Sequence, residues 1–320
     1  MVTTNNTRLP QDAIDSFDRD GYFALEGIFT NTDLQLAIDE IAAAIDSGAS
    51  AALKASKLSR LYTEKSFEQR LTYITAENDD VRKGILAGRL TGPGIFGMIT
   101  HTGLLDVIEQ LCGPELISSS VYRLRPKLPG HSWGPVPWHQ DSGYFEPYCD
   151  NSLIITVWIP LVDATEANGC MWVLPGAHKG SVLRHAEHPG KVYLEIPKEV
   201  LPKKKAVCVP IRKGGALFMT NRTPHASFDN ITDGIRWSMD LRYQSSKVIS
   251  NAHFTRYIDE PIPEEGNVPP ACYPPEADFL VRSTSRPEQV LHTPEEFKKL
   301  RETHHSKPLS NRWNAATVIS

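Results

Sequence analysis

Apolar residues recur at helical spacing in the first third of the chain and at strand spacing after it. Leu34, Ile38, Ile41 and Ile45 are spaced by four, three and four, which predicts an amphipathic helix over 32–47. Side chains from Thr30 to Asp33 supply its N-terminal cap, and Gly48 is expected to close it. Leu104, Val107, Ile108 and Leu111 predict a second helix over 102–112, with Gly113 as its stop.

From residue 116 the period becomes two. Segments 116–125, 152–161, 171–174, 206–211, 215–219 and 236–243 are rich in Val, Ile, Leu, Trp and Tyr. Pro129-Gly130, Asn168-Gly169, Pro175-Gly176 and Asp233-Gly234 are turn signals between them. Short strands without alternating helices predict an antiparallel sandwich or barrel, not a parallel α/β sheet. After 244 the chain reads as proline-rich loop, then a helix at 294–303 with Thr293, Pro294 and Glu296 in capping positions. With no internal repeat and no Gly/Ser-rich linker, residues 1–320 are expected to form one domain. It comprises a helical N-terminal layer (1–115), a β core (116–245), and C-terminal loops with a helix (246–320).

Composition narrows the function classes. The 320 residues carry 34 Lys and Arg against 38 Asp and Glu, a net charge of -4, so a basic nucleic-acid-binding surface is not the expectation. No long uncharged apolar run predicts a membrane-spanning helix. The N-terminal MVTTNNTRLPQD lacks the apolar core of a signal peptide. Cys112, Cys149, Cys170, Cys208 and Cys272 are odd in number and scattered, the pattern of reduced thiols in a cytoplasmic protein. Oligomeric state is left open.

Three stretches carry candidate chemistry. In Trp138-His139-Gln140-Asp141, an extended backbone puts His139 and Asp141 on one face, able to converge on one ion or to form a plain polar pair. His185-Ala-Glu187 repeats the spacing beside Pro189-Gly190, where a surface or substrate-loop role is expected, as for His188. In Pro224-His225-Ala-Ser227, His225 follows a strand; it is either a loop histidine bonded to backbone or a second imidazole ligand. Two histidines and a carboxylate with open positions form the facial triad of non-haem Fe(II) oxygenases. In the third stretch, Arg236, Ser238, Asp240 and Arg242 alternate with Trp237, Met239, Leu241 and Tyr243. The polar face is either wet or turned into a barrel, where a buried Arg demands an anion.

The order of these pieces resembles the phytanoyl-CoA dioxygenase family of Fe(II)/2-oxoglutarate-dependent oxygenases. The resemblance covers residues 10–245 and rests on Phe17-Asp-Arg-Asp-Gly21-Tyr-Phe, and on Arg125-Pro126 through His139-Gln140-Asp141. It rests equally on Val157-Trp158-Ile159-Pro160-Leu161, Asn168-Gly169-Cys170, Leu174-Pro175-Gly176-Ala177-His178-Lys179, Gly214-Gly215-Ala-Leu-Phe, His225 and Arg236. It implies a double-stranded β-helix, the cupin-like jelly roll, with iron held by His139, Asp141 and His225. It also implies Arg236 on the distal carboxylate of 2-oxoglutarate, assisted by Ser227, with Trp158 on a lining strand. Arg125 aligns where the family often has Lys, and an Arg does not simply replace a Lys. His178, in the signature loop, is expected to be structural.

The implied reaction consumes O₂ and 2-oxoglutarate, with ascorbate as a possible reductant, and releases succinate and CO₂ while a small organic substrate is hydroxylated or otherwise oxidised. Halogenating relatives need a small residue at the Asp141 position; this chain keeps the carboxylate. Two rivals remain: a cupin-like metal protein without 2-oxoglutarate chemistry (an epimerase or a cofactor-free dioxygenase), and a non-catalytic β-sandwich binding module. Tyr144, Phe145 and Tyr148 are candidate aromatic walls for the substrate. Segment 55–100, Arg282 and the run to Trp313 are candidates for the mouth of the pocket, and Lys203-Lys204-Lys205 for a solvated turn.

Overall fold

The structure, a computed structural model, describes residues 8–303 apart from 88, 120–121, 132–133, 146, 188–192 and 248–277. Expectations for His188, Cys272, the proline-rich stretch and Trp313 lie outside the described residues. The helices are α1 (Gln11–Asp20), α2 (Asn31–Lys54), α3 (Phe67–Glu77), α4 (Asp80–Leu86), α5 (Pro93–Ile99), α6 (Thr102–Cys112) and α7 (Pro294–Thr303). The strands are β1 (Tyr22–Leu25), β2 (Leu116–Ser119), β3 (Arg123–Lys127), β4 (Val136–His139), β5 (Ile155–Pro160), β6 (Met171–Val173) and β7 (Ala186–Glu187). They continue with β8 (Leu194–Glu195), β9 (Val207–Val209), β10 (Ala216–Thr220), β11 (His225–Ser227), β12 (Arg236–Ser245) and β13 (Asp278–Arg282).

A seven-stranded sheet runs β1-β10-β5-β12-β2-β13, with β3 also paired to β12. A four-stranded sheet runs β4-β11-β6-β9, and every pairing in both is antiparallel. Inward residues of both sheets line one shared cavity, and the opposite face of the larger sheet carries the helices. This is the jelly-roll fold with a helical N-terminal layer. The sequence segment 116–125 is two strands, not one: β3 pairs with the first half of β12 and β2 with its end.

β12 decides the layering. Trp237, Met239, Leu241 and Tyr243 are buried in the core shared with the helices, so its polar face turns inward. Trp237 stacks on Phe67 of α3 with ring centroids 4.9 Å apart, and Tyr243 donates to the Ile99 carbonyl of α5 at 2.6 Å. A second apolar cluster packs Val173, Val209, Ile211 and Leu217 with Trp158, Met171 and Met219, which also line the cavity.

The capping box at Thr30–Asp33 forms as the pattern requires, but α2 runs through Gly48 to Lys54. A Cβ at Gly48 would stand 3.1 Å from Val81 Cγ1, so this glycine lets α4 pack close instead of ending the helix. Thr293 and Glu296 cap α7 reciprocally. The four described cysteines are free thiols. No helix among the described residues is long and apolar enough to cross a membrane. Lys203, Lys204 and Lys205 are exposed, as a solvated turn requires.

Two glycines of α5 provide a stability test. A Cβ at Gly94 would meet the Leu36 carbonyl oxygen at 2.3 Å, backbone that cannot step aside, whereas one at Gly97 meets nothing within 4 Å. Gly94→Ala is expected to cost about 1–3 kcal/mol through overpacking. Gly97→Ala should be neutral or stabilise by up to about 1 kcal/mol through helix propensity. Urea unfolding compares the two, and equal effects would contradict the α2–α5 packing described.

Candidate active site

β4 and β11 are antiparallel neighbours with His139 directly opposite His225, and their ring centroids are 4.1 Å apart. Asp141 follows β4 in a tight helical turn, Asp141–Tyr144. One ligand atom from each of His139, Asp141 and His225 lies within 4.8 Å of the others, and all three residues are buried. The His139 Nδ1 faces the Pro137 carbonyl at 2.8 Å, and the His225 Nδ1 faces the Thr223 carbonyl at 2.9 Å. Those contacts make Nδ1 the donor in each ring and leave the Nε2 lone pairs for an ion.

Asp141 is held from two sides. Arg242 Nη2 donates to Oδ1 at 3.1 Å, and the Thr156 hydroxyl donates to Oδ2. Burial alone would raise this carboxyl; the Arg242 guanidinium, helped by the Thr156 hydroxyl, overcomes it and holds the group ionised, well below the usual carboxylate range. Burial pushes the His139 imidazole well below its ordinary value, and His225 adds to that.

The backbone between the two β4-side ligands is fixed by a residue read from sequence as a surface or substrate-loop histidine. His185 is fully buried, and its Nε2 accepts from the Gln140 N–H at 2.9 Å. Its Nδ1 contacts the Leu183 carbonyl at 2.8 Å, so the acceptor role of Nε2 is set. A Cβ at Gly143 would lie 2.6 Å from that Nε2, which is why the turn carries glycine there. Gln140 bonds Arg222 and Leu183, and Asn221 bonds Ser142 and Ile154, completing the brace. His178 is buried against Gly21, whose added Cβ would meet its ring at 2.4 Å, a packing role as expected.

At the other end of the cavity stands Arg236, 1% exposed. Its guanidinium lies over Trp158, 5.2 Å from the ring centroid, and Nη1 donates to Ser238. Its Nε has no hydrogen-bond partner, and no carboxylate pairs with it among the described residues. Burial lowers its pKa to about 10. Directly opposite Arg236 on β3 is Lys127. The Lys127 Nζ donates to Ser227 Oγ at 2.8 Å and to the Phe228 carbonyl, and burial, with Arg236 beside it, pushes its pKa down to about 6.

Arg125 takes a different place. It shares the inward face of β3 with Lys127, lines the cavity, and pairs with Asp240, with Tyr193 beside it. Lys127 is thus the β3 cation opposite Arg236 and bonded to Ser227, and Arg125 lines the cavity with both of those residues. Alternation of β3 and β12 is the signal that finds Lys127, Asp240 and Arg242; no sequence feature singles out His185.

Tyr144 is buried edge-on to His139, with its hydroxyl accepting from the Leu194 N–H at 3.1 Å. Phe145 lies under the Arg242 guanidinium. The side chain of Tyr148 is outside the described residues. Arg282 is bound to Asp106 and Glu109 of α6 and does not line the cavity. The described part of 55–100 includes α3, α4 and α5 and lines no part of the cavity around His139, Asp141 and His225.

The sequence profile of the phytanoyl-CoA dioxygenase family (PhyH) matches residues 17–238. The chain belongs to this family and is an enzyme of it. It is 28% identical to the peroxisomal phytanoyl-CoA dioxygenase of Homo sapiens over 159 residues, 48% of this chain and 46% of that protein. The match thus spans about half the length of the human enzyme. A phytanoyl-CoA dioxygenase of Arabidopsis thaliana is 24% identical over 275 residues, 75% of this chain and 95% of its own. The fold is similar to that of the epimerase SnoN in complex with Fe3+, alpha-ketoglutarate and nogalamycin RO. That similarity has TM-score 0.52, 19% identity, and coverage of 85% of this chain and 98% of that one.

Lys127 gives a pH test. Between about pH 6 and its ordinary value of 10.5 the unfolded chain carries a proton on this amine that the folded chain lacks. Unfolding free energy therefore rises with pH, by about 1 kcal/mol per unit from this group. Lys127→Met should remove that slope in urea melts run from pH 6 to 9; an unchanged slope would mean the amine is charged in the folded protein.

Proposed function

We propose that this enzyme is an Fe(II)- and 2-oxoglutarate-dependent dioxygenase that hydroxylates or otherwise oxidises a C–H bond of a small organic substrate. The observation that carries the reading is the convergence of His139, Asp141 and His225 on one buried point with both Nε2 lone pairs available. Two imidazoles and one carboxylate on one side fit a non-haem iron and leave positions open for ligands. The unpartnered Nε of buried Arg236 fits the distal carboxylate of 2-oxoglutarate, since an uncompensated buried guanidinium is costly. Family membership and the alpha-ketoglutarate bound in the SnoN complex support the same reading.

When bound, iron and 2-oxoglutarate together supply an oxidant made from O₂, with succinate and CO₂ as by-products. The chain's own part is positional. His139, Asp141 and His225 hold the metal, while Arg242 and Thr156 keep the Asp141 carboxylate ionised and oriented. Arg236, Lys127 and Ser227 grip the distal carboxylate, with an anion there drawing a proton onto Lys127. Trp158 forms the floor beneath the Arg236 guanidinium.

Three measurements test this. His139→Ala, Asp141→Ala and His225→Ala should each lose stoichiometric Fe(II) in anaerobic equilibrium dialysis while circular dichroism stays native. Full iron retention in His225→Ala would break the triad assignment. Arg236→Gln should weaken 2-oxoglutarate binding by about 2–5 kcal/mol, the usual loss for one partner of a desolvated ion pair, with a smaller effect on iron. Succinate formation from Fe(II), ascorbate and 2-oxoglutarate by the full chain separates this function from a metal-binding module without the reaction.

A further inference from the structure

Two thiols outside the cavity touch each other. The Cys170 and Cys208 sulfurs are 3.2 Å apart, and both cysteines are free. Cys208 lies on β9 directly opposite Trp172 of β6, and Cys170 comes just before β6. Diagonal neighbours across an antiparallel pair come within side-chain reach, so the β6–β9 register brings these two together. Neither has a part in the function proposed above.

The two thiols differ in access. Cys170 is fully buried in the apolar cluster that contains Trp158, Met171 and Val209, whereas Cys208 is half-buried and packs on that cluster. Burial, with Cys208 beside it, pushes the Cys170 thiol up to about 12, so this sulfur stays protonated. Cys208 is the sulfur that an oxidant in solution reaches first.

Cys170 is also joined by packing to the Arg236 end of the cavity. Its neighbour Gly169 has φ +80, and a Cβ there would meet the Phe228 carbonyl oxygen at 2.5 Å and Lys127 Cδ at 2.8 Å. That carbonyl is one of the two acceptors of Lys127 Nζ. Trp158, in the same cluster as Cys170, lies beneath the Arg236 guanidinium. Close-packed contacts transmit small shifts, so a movement of Cys170 reaches both cations.

We propose that Cys170 and Cys208 are a thiol pair that hydrogen peroxide converts to a disulfide, and that closing this bond weakens the 2-oxoglutarate pocket. The effect on the pocket rests on the function proposed above; the bond itself does not. First the Cys208 sulfur attacks one peroxide oxygen, the O–O bond breaks, and the released hydroxide takes the thiol proton and departs as water. The product is a sulfenic acid. Then the Cys170 sulfur attacks Cys208 Sγ, the S–O bond breaks, and the hydroxyl departs as water with the Cys170 proton. Two thiols together give up two electrons, and one peroxide accepts them. A disulfide holds its sulfurs about 2 Å apart, nearer than the contact between the thiols. Closure therefore draws the turn at Gly169 towards β9 and shifts its contact with Lys127 and Phe228.

The test treats the metal-free full chain with hydrogen peroxide and removes the excess with catalase. The protein is then alkylated and digested without reduction by trypsin and a glutamate-specific protease, which cuts at Glu166, between Cys149 and Cys170. The expected map has one cross-link, Cys170 to Cys208. Loaded anaerobically with Fe(II), the oxidised protein should bind 2-oxoglutarate about fivefold or more weaker than the reduced protein, the lower end of usual couplings between sites. Dithiothreitol should restore the binding. In Cys208→Ser, peroxide should produce neither the cross-link nor the weakening. Wild-type thiols that stay unpaired, or Cys170 paired with another cysteine, overturn the proposal, and these arms decide even if the variant does not fold. A Cys170–Cys208 cross-link with unchanged 2-oxoglutarate affinity overturns the coupling, as does equal weakening in Cys208→Ser. If the reduced Fe(II) protein binds no 2-oxoglutarate, the proposed function fails and takes the coupling with it, while the cross-link map still decides the thiol pair.

Discussion

β12 has to satisfy opposite chemistries on its two faces, and the other elements are arranged around that constraint. Trp237, Met239, Leu241 and Tyr243 need an apolar layer, which the helices supply through Phe67, Ile99 and their neighbours. Arg236, Asp240 and Arg242 need partners of opposite charge or a ligand, because charge buried between two sheets without compensation is not tolerated. Asp240 meets Arg125 and Arg242 meets Asp141, while Arg236 meets the Ser238 hydroxyl and the Trp158 face and has no ion pair among the described residues. The pairing pattern therefore leaves one cation for a ligand at one end of the strand and ties another to a candidate metal ligand at the other end.

The smaller sheet contributes precision. Direct register between His139 and His225 brings the two imidazoles together, and backbone carbonyls at Pro137 and Thr223 select their tautomers. Asp141 cannot drift, because the preceding backbone is pinned by His185 and the carboxylate by Arg242 and Thr156. Rigidity of this kind costs side-chain and loop entropy during folding, and it holds the three donors in place before an ion arrives.

Much of this was legible in the chain. The period-two segments gave the strands, and strict alternation over 236–243 posed the choice between a wet and an inward polar face. Packing of Trp237 against the helices settles that choice, and local pattern does not encode it. The Arg125 assignment shows the limit most clearly. Arg125 and Lys127 are two apart and share a face, but the resemblance read from sequence named only Arg125; the β3–β12 register puts Lys127 directly opposite Arg236 as well, while Arg125 lines the same cavity and pairs with Asp240. Gly48 carries the same lesson, since its reading as a helix stop ignored a distant partner, Val81, that uses the missing side chain. His185 was opaque because its role is a single long-range hydrogen bond from a loop.

The central claim is that one cavity holds the metal at the His139–Asp141–His225 end and a dicarboxylate at the Arg236 end. Anomalous diffraction from crystals grown anaerobically with Fe(II) and 2-oxoglutarate tests it most directly. The expected map has one iron peak bounded by His139 Nε2, Asp141 and His225 Nε2, with the distal carboxylate of 2-oxoglutarate against Arg236 and Lys127. An iron peak elsewhere, or a dicarboxylate that leaves Arg236 uncontacted, would contradict it.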